Sequence, residues 1–125
     1  MVTALAFLSD DWLAALAQCA TEPGPEPLVV QQLVDRPEGV AAYWLEVGEL
    51  GVGVGLGEAS DPAVVFRCSE RIAAEIHAGE CSALRAFLNK DLELSGRVDA
   101  LTSMQRHLDG QPDPFGELRT RTRYR

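Results

Sequence analysis

Leu28-Val-Val-Gln-Gln-Leu-Val34, Ala41-Ala-Tyr-Trp-Leu-Glu-Val47, Gly51-Val-Gly-Val-Gly-Leu-Gly57 and Val64-Val-Phe-Arg-Cys68 decide the fold. Leu28 to Val34 is β-branched and rich in apolar residues. In the later segments the period is two. Tyr43, Leu45 and Val47 alternate with Ala42, Trp44 and Glu46, and Val52, Val54 and Leu56 alternate with glycines. That is the pattern of half-buried strands. Pro37-Glu38-Gly39 and the tract Glu58 to Pro62 read as turns between them. Such short connections favour an antiparallel meander.

Outward from this block the period becomes helical. On the N-terminal side Ser9 can cap a helix, Asp10 and Asp11 place negative charge in its first turn, and Leu8 can staple onto Leu13. Trp12, Leu13, Leu16, Ala17 and Ala20 form its apolar stripe, and the prolines between Glu22 and Pro27 stop it. On the C-terminal side Ser69 caps a helix bearing Ile72, Ala73 and Ile76, and Ser82 caps one with Leu84, Phe87 and Leu88 on its apolar side. Leu92 and Leu94 make a fifth strand. A last helix carries Val98, Leu101, Met104, Gln105 and Leu108 before Gly110 and Pro112. The order predicts an α+β domain, a five-stranded mainly antiparallel sheet with helices packed on one face.

The bulk properties narrow the partners. The 125 residues fit one domain, taken as 1–118, with 119–125 as a solvated basic tail containing Arg119, Arg121, Arg123 and Arg125. A net charge of −8 repels phosphate backbones, so nucleic acid is excluded as a partner. The N-terminal apolar run ends within eight residues and has no basic flank, so neither a signal peptide nor an integral membrane segment is expected. Three cysteines without a CxxC pair fit reduced thiols in the cytoplasm.

No residue pattern demands catalysis. His77 and Cys81 are four apart, but Gly79 ends the helix between them, so neither metal nor cofactor is expected. Cys19 and Cys68 read as small core residues, which leaves Cys81 as the one candidate for an exposed thiol. Gly53, Gly55 and Gly57 are not a phosphate loop, because a turn and another strand follow rather than a helix. They leave one sheet face bare, which implies close packing of another element there or, alternatively, empty volume for a ligand beside it.

Between Gly79 and Arg97 the chain reads Gly-Glu-Cys-Ser-Ala-Leu-Arg-Ala-Phe-Leu-Asn-Lys-Asp-Leu-Glu-Leu-Ser-Gly-Arg. With Gly79, Ala86-Phe87, Leu92, Leu94 and Gly96 in place, this resembles the signature segment of the sterol carrier protein family. The stretch from Asp61 to Ile76 and the strand of Tyr43, Leu45 and Val47 resemble the family too. The likeness spans roughly Gly39 to Leu108, about half of the chain. Lys90-Asp91 and Arg97 depart from the family's usual turn residues, and Arg123-Tyr-Arg125 is not the peroxisomal address of some members.

The resemblance implies an apolar tunnel between sheet and helices that binds a sterol, fatty acid or phospholipid without covalent chemistry. The lining candidates are Val54, Leu56, Phe66, Leu84, Phe87, Leu88, Leu101, Met104 and Leu108. The alternative is the same fold with its cavity closed, serving as a homodimerisation or partner-binding module, with Trp44 as an exposed interface residue. A third reading is a small enzyme that uses Cys81.

Overall fold

The computed structural model describes residues 4–124. In chain order the elements are β1 (Leu5–Ala6), α1 (Asp10–Gln18), β2 (Leu28–Asp35), β3 (Ala41–Val47), β4 (Val52–Leu56) and β5 (Val64–Ser69). Then come α2 (Glu70–His77), α3 (Ala83–Leu88), β6 (Leu92–Gly96), α4 (Ala100–Asp109), α5 (Gly116–Arg121) and β7 (Thr122–Arg123). The capping serines act as their positions require. The hydroxyl of Ser9 accepts the Trp12 amide at 3.1 Å, Ser69 that of Ile72 at 3.3 Å, and Ser82 that of Arg85 at 3.1 Å. Each satisfies an amide that a helix start otherwise leaves without a partner.

The main sheet has five strands in the order β4-β3-β2-β5-β6. Its β2–β3, β3–β4 and β5–β6 pairs are antiparallel, whereas β2 and β5 run parallel. The mainly antiparallel sheet is therefore present, but the expected meander stops after β4. The chain leaves the edge strand, crosses β3 and β2, and inserts β5 beside β2. Gln31 holds that crossing, since its amide donates to the Gly57 carbonyl at 3.0 Å and accepts from the Ala59 amide at 2.7 Å. In this interior place β5 is bonded on both sides and buries Val64 and Phe66 in the core.

Alternation divides the sheet into two faces. Leu28, Val30, Gln32 and Val34 share the inner face with Tyr43, Leu45, Val47, Phe66 and Cys68, and the helices pack there. The glycines of β4 lie on the outer face, where a methyl group at Gly55 would overlap the Trp44 ring. The close packing expected at that bare face is thus supplied by an indole. Trp44 is half-buried in consequence, not the exposed interface residue expected.

The C-terminal residues correct the reading of a solvated tail. The division expected after residue 118 falls within α5, whose Leu118 is 0% exposed. β7 pairs parallel with β1, and the Trp12 indole donates to the Thr122 hydroxyl at 2.9 Å. Arg119 donates to the His77 carbonyl at 2.7 Å and pairs with Asp113 at 2.7 Å. This order arises because Leu118 and Tyr124 find apolar and aromatic partners far away in sequence, among them Leu8, Trp12, Phe7 and His77. Arg125 lies outside the described residues. No helix among those described is long and apolar enough to cross a membrane.

Candidate functional site, an apolar cavity between sheet and helices

A cavity of about 130 Å³ lies between the inner sheet face and the helices. Its floor is Gln32 of β2, Tyr43 and Leu45 of β3, Phe66 and Cys68 of β5, and Leu92 of β6. These are alternate residues of adjacent strands, brought to one face by the register that pairs Gln32 with both Tyr43 and Phe66. The roof comes from Leu16 of α1, Ala73, Ile76 and His77 of α2, Met104 of α4, and Phe115 ahead of α5. On α2, Ala73, Ile76 and His77 share a face by their three- and four-residue spacing.

The walls carry no formal charge at neutral pH. None of the described residues lining the cavity is Asp, Glu, Lys or Arg. Burial, helped by the nearby Arg119 guanidinium, pushes His77 down to about 4, although Asp113 opposes this. Burial, with the Asp35 carboxylate, pushes the Cys68 thiol up to about 11. Burial likewise holds the Tyr43 phenol above its ordinary range. The imidazole, thiol and phenol are all uncharged at pH 7 as a result.

His77 ties the cavity to the C-terminal segment. Its Nδ1 shares a hydrogen bond with the Tyr124 hydroxyl at 2.6 Å, and its ring meets Phe7 and Trp12. Its Nε2 is buried without a hydrogen-bond partner among the described residues. Gln32 is the other polar side chain to note. It enters the hydrogen bonding of the sheet centre through its backbone carbonyl, and its amide side chain has no partner among the described residues.

Of the lining candidates, Phe66 and Met104 stand on the cavity wall. Leu101 and Leu108 pack into the same core cluster without reaching it, and Val54 packs among the residues around α1. Leu56 lies at the exposed end of β4, 50% accessible. α3 is rotated from the expected phase. Ala83, Ala86 and Phe87 turn inward, while Leu84 and Leu88 face solvent at 49% and 69% exposure. In a helix of six residues two apolar faces compete, and the small Ala86 is the side chain that fits close to the sheet edge. Gln32, Tyr43, Cys68, Leu16 and His77 were not among the candidates. A signal for Gln32 was nevertheless present: a polar residue on the strand face otherwise made of Val30 and Val34.

Among the described residues, nothing in the arrangement assembles a nucleophile with a base. All three cysteines are partly buried free thiols, and the Cys81 thiol is directed to the Ser82 carbonyl at 3.4 Å. Among the described residues no three His, Cys, Asp or Glu side chains gather as a metal site would require.

No family model and no curated protein matches the chain. Solved structures do. The chain is similar to palmitated sterol carrier protein 2 like 2 from Aedes aegypti, at 20% identity and a TM-score of 0.56 over 79% of this chain and 94% of that one. A conserved hypothetical protein from Thermus thermophilus matches with a TM-score of 0.61 at 17% identity, covering 88% of this chain and 90% of the other. Part of a sec-alkyl sulfatase also matches, at 14% identity and a TM-score of 0.57, covering 85% of this chain and 17% of the enzyme. The protein therefore has the sterol carrier protein 2-like fold.

Proposed function

We propose that this protein binds a long-chain apolar ligand non-covalently, in the cavity between its sheet and helices, and carries it in solution. The observation that carries this reading is the partly open chamber itself, walled by apolar side chains and by polar groups that are uncharged at pH 7. The palmitated state of the Aedes aegypti neighbour supports the same class of ligand. Phe66 and Met104 are the sequence candidates that touch the ligand, joined by Leu45, Ile76 and Leu92. The free cysteines suit a reducing, cytoplasmic setting.

A ligand site for a drug-sized molecule spans roughly 300–1,000 Å³, so this cavity admits a whole lipid only by widening. Met104 is the side chain suited to yield, since its thioether adapts to irregular space. Each buried CH₂ then gains about 0.8 kcal/mol. Ordering and desolvation costs reduce a long chain's total to micromolar-class affinity or somewhat tighter.

The test is titration of delipidated protein with a fluorescent long-chain lipid, alongside native mass spectrometry. Saturable binding of one ligand per chain is expected, and Met104→Trp should weaken it by about tenfold by filling the roof while circular dichroism stays unchanged. An absence of saturable binding, or full affinity in the tryptophan variant, overturns the reading.

A further inference from the structure

We infer that the ligand is a single-chain lipid with an uncharged hydrogen-bonding end, such as a long-chain alcohol, whose end is received by the side-chain amide of Gln32. The inference rests on the proposed carrier function and specifies its ligand.

The position of Gln32 makes it unusual. β2 is the middle strand of the main sheet, and Gln32 is on its inner face, opposite Tyr43 on one side and Phe66 on the other. An amide in apolar surroundings without a hydrogen bond is costly, so such groups are normally paired. Here Gln32 lines the cavity, is only partly buried, and its amide has no hydrogen-bond partner among the described residues, so it stays open to whatever enters the chamber. It offers both a donor and an acceptor, which suits a hydroxyl, itself both donor and acceptor. The Tyr43 phenol, protonated at neutral pH, stands on the adjacent strand of the same floor.

A carboxylate is poorly served by the same site. An ionised group taken out of water needs a cation or several donors to replace its hydration. No Lys or Arg is among the described lining residues. Arg119, the cation acting on His77 from behind the wall, is already bonded to Asp113 and to the His77 carbonyl. The chain's net charge of −8 adds a long-range penalty for an anionic ligand. The narrow chamber also favours a flexible chain, which can enter bent and part at a time, over a fused ring system that must be admitted whole.

Competition against a bound fluorescent lipid probe at pH 7.5 tests this, with 1-dodecanol and laurate as competitors of equal chain length. Dodecanol should displace the probe at about tenfold lower concentration than laurate. Gln32→Leu should lower the dodecanol affinity by roughly fivefold and leave that of laurate within twofold, since the lost bond is worth about 1 kcal/mol. Equal or tighter binding of laurate, or a dodecanol affinity untouched by the substitution, overturns the inference while the carrier function stands. If the probe itself does not bind saturably to the unaltered protein, the carrier function falls first.

Discussion

Gln31 and Gln32 are neighbours in the chain, identical in chemistry, and opposite in fate. Gln31 points to the outer face of the sheet, 3% exposed, and its amide reaches the carbonyls of Gln32, Tyr43 and Gly57 while accepting from the Ala59 amide. Gln32 points to the inner face, where its amide meets an apolar chamber and makes no bond to a described side chain or backbone group. The outer glutamine fastens the crossing from β4 to β5, and with it the parallel pairing of β2 with β5. The inner one contributes nothing visible to the fold and is left available to something else. A strand's pleat sends adjacent residues to opposite faces. Whether a polar side chain then becomes a structural tie or a free hook depends on what the rest of the chain brings to that face.

The contrast is easiest to break at Gln31. Substitution by leucine should cost about 2–4 kcal/mol in urea unfolding, because it strands the Ala59 amide and the Gly57 and Tyr43 carbonyls. A cost below about 0.5 kcal/mol would mean that the crossing holds without the tie, and the distinction between the two glutamines would collapse.

The inner face should reveal its dryness through pH. His77 titrates near 6.5 when unfolded and at about 4 in the folded chain. The unfolded state therefore binds more protons between these values. Stability from this group is present above pH 6.5 and is lost as pH falls towards 4. The full difference converts to about 3 kcal/mol, and the partial exposure of the ring reduces it to about 2 kcal/mol. His77→Phe should flatten the stability profile across that window. Asp113 is held below its ordinary value: burial opposes this, but the Phe115 amide and Arg119 outweigh it. Its contribution is lost at lower pH still, so the two slopes are separable in acid titration followed by fluorescence.

The smallest effect on stability is expected at Gln32. Gln32→Leu should leave the unfolding free energy within about 0.5 kcal/mol of the unaltered protein, since no bond is lost and an unpaired amide is removed. A loss comparable to that at Gln31 would show that the inner glutamine is structural, and would remove the ground for assigning it a ligand.

How much of this was legible beforehand follows from the range over which each feature is decided. The capping serines, the alternation of β3 and β4, the break at the proline loop and the helical face of Ile72, Ala73 and Ile76 depend on residues a few positions apart. All are present in the structure. The inward turn of Ala86 in place of Leu84 and Leu88 was not legible, because the helix is too short for its period to choose a face. Nor was the folding of the last residues, since the partners of Leu118, Thr122 and Tyr124 are supplied by β1, α1 and α2.

The sequence by itself determined the α+β composition and the five strands of the main sheet, because these follow from local periodicity and residue chemistry. Only the tertiary structure decided that β5 runs parallel beside β2, that Gln31 is tied while Gln32 is free, and that the cavity is walled by His77, Tyr43 and Cys68 rather than by α3. Those outcomes depend on which distant surfaces meet. A residue's neighbours in space are set by the packing of the whole chain, and no window of sequence contains them.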